Sequence, residues 1–215
     1  MKEKTLFLGA AAILLLVFVV AMMTYNTGTA EQSAQVVEQN RDRLVRMHSP
    51  TLGNAQAKVQ IVEFLDPACE TCRSFYPFVK EMMAANPDDI RLVVRYAPFH
   101  DGSEAVVAVL EAARKQGKFW PTLEALFASQ EQWAPNHAPQ IGLVWPHLEG
   151  LGLDLDRLRA DMVAPEIGRV IGQDLADADA LNVTKTPEFF VNGEPLPRFG
   201  YEPLKALVDA ALAAR

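Results

Sequence analysis

The chain has 215 residues, of which 50% are hydrophobic and 22% charged, and this composition is typical of a globular protein rather than of a disordered or collagen-like chain. Its formal net charge is −7, from 27 acidic and 20 basic residues. Binding to a phosphate backbone needs clustered lysine and arginine, so nucleic acid is not an expected partner. Having only two cysteines, the chain cannot form a scaffold of several disulfides or, alone, a four-cysteine metal site.

Residues 5–23 contain no charged side chain and are dominated by Leu, Val, Ala, Phe and Met. As a helix rising about 1.5 Å per residue, this run nearly spans the ~30 Å hydrocarbon core of a bilayer. Lys2 and Lys4 precede it and no basic residue follows until Arg41, so the positive-inside rule places the rest of the chain outside the cytoplasm. Residues 1–24 are therefore predicted to anchor the chain in a membrane by a single pass. The alternative is a cleaved signal peptide that leaves a soluble exported protein.

Residues 25–49 predict a helical stalk between the anchor and the rest of the chain. Apolar residues recur at helical spacing from Glu31 to His48, and Ser49-Pro50 ends the pattern. Because the apolar stripe is short and interrupted, it indicates a spacer, while a homo-oligomer formed through the stalk is the alternative.

Two predicted strands flank a predicted helix in the next part of the chain. Residues 58–65 are rich in β-branched and aromatic side chains and stop at Asp66-Pro67, as expected of a buried strand. Apolar residues at helical spacing follow as far as Asn86, and residues 90–96 predict a second buried strand. This order of strand, helix and strand indicates a parallel crossover.

The remaining residues predict a helical block and a second strand region. Gly and Pro break residues 103–181 into four or five short helices. Residues 188–191 predict a strand, Asn192-Gly193 a hairpin turn, and the stretch from about Glu202 to Ala213 a final helix. The order βαβ, helices, ββα indicates an α/β fold interrupted by a helical insertion.

Cys69 and Cys72 lie where the first predicted strand meets the following helix. Two intervening residues place both sulfurs on one helical turn, close enough to form a disulfide. The helix N-terminus favours a thiolate at Cys69, so we expect Cys69 to be the nucleophile and Cys72 the resolving thiol. No metal is expected here, because zinc would need two further ligands and the four histidines are scattered. A static structural bridge is the alternative, although it would close too small a loop to restrain much chain.

A second candidate site lies at Thr186-Pro187, just before the predicted strand 188–191. Proline donates no hydrogen bond to a sheet, so its place here is explained by a cis Thr186–Pro187 bond that turns the backbone towards the cysteines. The neighbouring peptide groups would then bind an extended substrate chain. An ordinary trans turn is the alternative.

Taken together, these segments resemble the DsbA-like family of thioredoxin-fold thiol-disulfide oxidoreductases of bacteria. The segments that carry the resemblance are Leu52-Gly53-Asn54, residues 59–66, the cysteine pair, Arg95 to Pro98 with His100, Ala112-Ala113, Lys118-Phe119-Trp120 and residues 186–193. The resemblance covers about residues 50–214. It implies a thioredoxin fold in two parts, residues 50–102 and 182–215, separated by a helical insertion at residues 103–181.

The resemblance also implies a chemistry and its partners. The redox-active Cys69–Cys72 disulfide would be the working group, with no separate cofactor. Cysteine-containing exported proteins would be the substrates, and a membrane-bound or soluble redox partner would reset the disulfide. With the predicted anchor, the resemblance implies a single-pass protein of the bacterial inner membrane with its catalytic domain in the periplasm, or a soluble periplasmic protein if the segment is cleaved. Oxidases, reductases and isomerases share this machinery, so the direction stays open. A different class remains as the alternative, namely a membrane-tethered binding or chaperone-like module without turnover.

Three further residues are expected to tune the cysteines. Glu70 and Thr71 stand between them, where many relatives carry an aromatic residue or proline and the strong oxidants a histidine. A carboxylate at Glu70 would disfavour the Cys69 thiolate and make the disulfide a weaker oxidant. Glu63, six residues before Cys69, occupies the place where similar thioredoxin-like proteins carry a buried acid. The resemblance therefore implies that Glu63 is buried and passes a proton, through water, to or from Cys72. Exposure on an edge strand is the alternative for Glu63.

Overall fold

The structure is a computed structural model that describes residues 40–214. The predicted anchor, residues 1–24, and most of the predicted stalk lie outside the described residues. Within residues 40–214, no helix is both long enough and apolar enough to cross a bilayer. The anchor therefore stays a prediction from the sequence.

Five strands form one mixed sheet with the order β1-β3-β2-β4-β5. The strands are β1 (Thr51–Gly53), β2 (Val59–Leu65), β3 (Ile90–Tyr96), β4 (Glu188–Val191) and β5 (Glu194–Pro195). β2 and β3 are parallel, as predicted, whereas the other three neighbouring pairs are antiparallel. β2 is thus the central strand, and its nearly continuous apolar sequence reflects burial on both faces.

Seven α-helices follow the stalk helix within the described residues. They are α1 (Glu70–Ala85), α2 (Ser103–Arg114), α3 (Phe119–Ala128), α4 (Gln130–Trp133), α5 (Leu155–Met162), α6 (Pro165–Ala180) and α7 (Tyr201–Ala213). Three short 3-10 helices connect α4 to α5, at Pro135–His137, Ile141–Leu143 and Trp145–Leu148. The predicted block of short helices is therefore present as α2 to α6, inserted between β3 and β4.

The sheet separates two apolar clusters. Ile61 and Leu65 of β2 pack in the larger cluster, together with Cys72 of α1 and Leu204 of α7. Because successive side chains of a strand point to opposite faces, Glu63 lies on the same face as Ile61 and Leu65. The fold thus places this carboxyl group on the cysteine side of the sheet.

The opposite face of the sheet packs against α6 and the start of the described chain. Val62 and Phe64 of β2 belong to the smaller cluster, which also contains Ala178 of α6 and Leu44. Leu44 is 2% exposed and therefore belongs to the folded core.

The predicted stalk helix ends four residues early. Its described part runs from residue 40 to Leu44 and does not continue to His48. Arg46 and His48 instead bind the carboxylates of Asp177 and Asp174, at 2.6 Å in both pairs. These contacts hold the chain in a non-helical path, which the apolar spacing alone did not reveal.

The predicted hairpin turn is confirmed. Asn192 and Gly193 have φ angles of 50° and 91°, and they connect the paired residues Val191 and Glu194. Two consecutive positive φ angles are typical of the turns that match the twist of a hairpin, and Asn-Gly adopts them at low cost. The turn brings β5 back along the edge of β4.

Candidate active site

Cys69 occupies the N-cap position of α1, directly after the turn that leaves β2. Its Sγ accepts a hydrogen bond from the backbone N–H of Cys72, with an N–S distance of 3.4 Å. Cys69 is 5% exposed and Cys72 is fully buried, and both are free thiols. Solvent therefore reaches the expected nucleophile and not the expected resolving thiol.

Hydrogen bonds and burial shift the pKa values of the two thiols in opposite directions. A hydrogen bond from the Cys72 side chain is the main cause that lowers the pKa of Cys69 to about 5, and it outweighs burial. The Thr186 side chain and the backbone N–H groups of Cys72 and Thr71 act in the same direction. Burial raises the pKa of Cys72 well above its ordinary value, so this thiol keeps its proton. At neutral pH, Cys69 is therefore the thiolate and Cys72 the thiol.

The two residues between the cysteines act differently. Thr71 contributes its backbone N–H to the Cys69 sulfur. The Glu70 side chain is half-exposed, and water screens its charge there. The hydrogen bonds to Cys69 dominate, so the expected opposition of Glu70 to the thiolate is at most a secondary effect.

The Thr186–Pro187 peptide bond is cis, as predicted. The carbonyl oxygen of Thr186 lies 3.3 Å from Cys69 Sγ and accepts a hydrogen bond from the protonated thiol. Pro187 is buried and Thr186 half-buried. The fold thereby joins two segments of the site that lie 117 residues apart in the sequence.

Glu63 is fully buried, and neither of its carboxyl oxygens has a hydrogen-bond partner among the described residues. Burial, and secondarily the charge of Cys69, raise the pKa of Glu63 to about 8. The carboxyl group is therefore protonated at neutral pH, and its charge when ionised raises the pKa of Cys72 in turn. The exposed position considered as the alternative for Glu63 is wrong.

Gln130 of α4 contacts the turn before Cys69 and was not predicted from the sequence. Its Nε2 donates hydrogen bonds to the carbonyl oxygens of Pro67, at 2.8 Å, and Cys69, at 3.1 Å. A single glutamine in a helical block forms no motif, so only the tertiary structure brings it to the site.

Asp66 holds the other side of the same turn. Its Oδ1 accepts a hydrogen bond from the Ala68 N–H at 2.8 Å, and its Oδ2 lies 2.7 Å from His100 Nδ1. His100 in turn stacks on His137, with ring centroids 5.0 Å apart. The buried carboxylate of Asp66 thus ties the end of β2 to the loop that follows β3.

A family profile with the description "Thioredoxin" matches residues 46–210. The chain belongs to the thioredoxin family. A thioredoxin-like oxidoreductase from Silicibacter pomeroyi DSS-3 superposes with a TM-score of 0.70 at 34% identity, covering 81% of this chain and 99% of that one. The thiol-disulfide exchange protein alpha-DsbA2 from Wolbachia pipientis shares the fold, with a TM-score of 0.71 at 18% identity and coverage of 85% and 97%. These findings confirm the resemblance to DsbA-like thioredoxin-fold proteins.

One curated relative of this thioredoxin-family chain is a membrane transporter. The Na(+)/H(+) antiporter NhaA from Herminiimonas arsenicoxydans is 35% identical over 144 residues, which make up 67% of this chain and 22% of the antiporter. The chain thus spans about a fifth of the length of that relative.

Proposed function

We propose that this thioredoxin-family protein is a thiol-disulfide oxidoreductase that exchanges disulfides with cysteine-containing exported proteins. The observation that carries the proposal is the asymmetric cysteine pair: Cys69 has a pKa of about 5 at the N-terminus of α1, and the buried Cys72 lies one helical turn away. A stabilised thiolate both attacks a substrate disulfide and leaves readily from a mixed disulfide.

In the oxidising direction, a substrate thiolate attacks Cys69 Sγ of the Cys69–Cys72 disulfide. The S–S bond breaks, and Cys72 leaves as a thiolate that takes up a proton. The second thiolate of the same substrate then attacks the substrate sulfur of the mixed disulfide, and Cys69 leaves as a thiolate. Two electrons pass from the substrate dithiol to the cysteine pair, and a redox partner removes them. The reducing direction runs through the same steps in reverse.

Glu63 is the group that we expect to exchange a proton with Cys72. In the reducing direction Cys72 must lose its proton before it attacks the mixed disulfide, and burial makes that loss unfavourable. A neighbouring carboxyl group with a pKa of about 8 changes protonation state near neutral pH and therefore suits this transfer.

Thr186 and Pro187 are expected to orient the substrate. The carbonyl group of Thr186 already faces Cys69 Sγ, so a substrate chain that pairs with this backbone would bring its own sulfur to the same place. We further infer that the catalytic domain is exported and tethered to the bacterial inner membrane, because Lys2 and Lys4 precede the uncharged run 5–23.

Trapping with Cys72→Ala tests this function. Without the resolving thiol, attack by Cys69 on a protein disulfide should stall as a mixed disulfide, which a non-reducing gel detects and mass spectrometry identifies. Cys69→Ala is the matched control and should trap nothing. Absence of mixed disulfides with Cys72→Ala would contradict the proposal, and the trapped proteins would show the direction of exchange.

A second candidate function is a membrane-tethered binding module without turnover. The observation that favours it is the match to one segment of a much longer antiporter. The two functions differ in the reactivity of Cys69. Alkylation of Cys69 well below pH 7 supports catalysis, whereas a thiol that reacts only near pH 9, like a free cysteine, supports the binding module.

A further inference from the structure

Gln130 connects the helical insertion to the turn that carries Cys69. It is the first residue of α4 and is fully buried. Both hydrogens of its amide group are used, one on the carbonyl oxygen of Pro67 at 2.8 Å and one on that of Cys69 at 3.1 Å. A residue of the insertion thus holds two carbonyl groups that lie two residues apart in the same turn.

The N–H groups of this turn are held independently by Asp66. Its side chain accepts from the Ala68 N–H at 2.8 Å, and its backbone carbonyl accepts from the Cys69 N–H at 3.0 Å. Gln130 supplies the complementary bonds on the carbonyl side. Because the donors and the acceptors of the turn are both engaged, its peptide planes are fixed, and with them the direction of the Cys69 side chain.

Packing alone does not explain why an amide side chain stands at position 130. Its Oε1 is buried and has no hydrogen-bond partner within the described residues. An unpaired buried oxygen costs free energy, so an apolar side chain of similar length, such as Met, would serve packing better. Exchanging Oε1 and Nε2 would set an oxygen against two carbonyl oxygens, which repel it. The two donated bonds are therefore what the amide contributes.

We propose that Gln130 is a positioning residue for disulfide exchange, which keeps Cys69 Sγ aligned with the backbone N–H groups of Thr71 and Cys72. This inference rests on the proposed function and deepens it. The Cys72 N–H donates to Sγ over 3.4 Å, an ordinary distance for a sulfur acceptor, and hydrogen bonds weaken steeply as their angle departs from linearity. A small rotation of the turn would therefore weaken the stabilisation of the thiolate without unfolding the domain.

Two substitutions of Gln130 test this inference, with an exposed glutamine of the same helix as the control. Gln130→Met keeps the length and removes both donors. Gln130→Glu keeps the shape; buried against two carbonyl oxygens, its carboxyl group stays protonated near pH 5 and has one donor in place of two. Gln132→Met is the matched control, because Gln132 is exposed. Each variant is checked by circular dichroism and thermal unfolding, and the pH dependence of Cys69 alkylation by iodoacetamide is then measured.

We expect Gln130→Met to remain folded and to move the alkylation midpoint of Cys69 upwards by about one pH unit, with a smaller shift for Gln130→Glu, which retains one donor. A shift of one pH unit means that the thiolate is about tenfold less stable, so the equilibrium constant for reduction of the Cys69–Cys72 disulfide by glutathione also falls about tenfold. This corresponds to a reduction potential lower by about 30 mV. Gln132→Met should change neither quantity.

Folded Gln130 variants with an unchanged alkylation midpoint would overturn the inference. Loss of folding in both variants would also count against it, because Gln130 would then be a residue of the fold rather than of the site. Failure of the proposed function looks different: the wild-type protein would not equilibrate with glutathione, while its Cys69 titration could still be measured.

Discussion

Cys69 and Cys72 carry the same functional group but differ in their surroundings. The Cys69 sulfur faces N–H groups at a helix N-terminus, and the Cys72 sulfur is enclosed in the larger apolar cluster. This asymmetry follows from their order at the start of α1 and was predicted from the sequence. The bonds that Gln130 donates could not be predicted. Their acceptors, Pro67 and Cys69, precede Gln130 by 63 and 61 positions in the sequence, so no local pattern indicates them.

Glu63→Gln should stabilise the protein at alkaline pH. The folded-state pKa of Glu63 is about 8, above the ordinary value of 4.5, so the unfolded chain releases this proton first. Wild-type stability therefore falls as pH rises from about 4.5 through about 8, and the glutamine variant lacks this loss. We expect the variant to be more stable by roughly 2–4 kcal/mol at pH 9 and by less than about 1 kcal/mol at pH 5.

Urea unfolding at both pH values measures this difference. Glu194→Gln is the matched control, because Glu194 is exposed on β5 and its substitution should change stability little at either pH. Equal stability of Glu63→Gln and the wild type at pH 9 would contradict the buried, protonated state assigned to Glu63.

The elements of the thioredoxin fold differ in how much of them the sequence reveals. β2, β3 and the hairpin were predicted closely because each carries a local signal, namely a β-branched run or the Asn-Gly turn. β1 was not predicted as a strand, since it has only three residues and is defined by its pairing with β3. The end of the stalk helix was misplaced because the contacts of Arg46 and His48 with α6 determine it.

Breaking the ion pairs between α6, β3 and the start of the domain should be strongly destabilising, because a buried charge then loses its partner. Asp177 is 3% exposed and accepts hydrogen bonds from Arg46 at 2.6 and 2.8 Å and from Arg95 at 2.6 Å. Asp177→Asn leaves the buried guanidinium of Arg95 with one carboxylate fewer. We expect a loss of roughly 2–4 kcal/mol at pH 7, measured by urea unfolding.

The deficit of Asp177→Asn should shrink in acid. Burial raises the pKa of Asp177, but Arg46 and Arg95 outweigh it and hold the pKa below its ordinary value. The stabilisation by this carboxylate is therefore present above about pH 4 and is lost as pH falls further. Asp179→Asn on the exposed side of α6 is the control. A deficit that does not depend on pH would show that the charge of Asp177 is not what stabilises the domain.

On the scale of the whole molecule, the folded domain begins before the first sequence segment that carries the resemblance to known oxidoreductases. Leu44 is buried, Arg46 forms an ion pair with Asp177 of α6, and His48 Nε2 lies 2.6 Å from Asp174 of α6, although the sequence segments that carry the resemblance start near residue 50. A fragment of residues 50–215 should therefore be less stable than one of residues 41–215 by roughly 2–5 kcal/mol. Denaturant midpoints of the two fragments measure this, and equal midpoints would contradict the assignment of residues 44–48 to the domain.

The oxidising strength of the whole protein follows from the Cys69 thiolate. Its pKa of about 5 lies between the values of about 7 in thioredoxin and about 3.5 in DsbA. A more stable thiolate favours the reduced pair and so makes the disulfide a stronger oxidant. The reduction potential should therefore lie between about −270 mV for thioredoxin and about −120 mV for DsbA.

Equilibration of the protein with glutathione buffers of known potential, followed by acid quenching and alkylation, tests the central claim most directly. The account predicts that Cys69 and Cys72 interconvert reversibly between dithiol and disulfide as a two-electron couple, with a midpoint inside that range. A pair that forms no reversible disulfide at any glutathione ratio would contradict the claim.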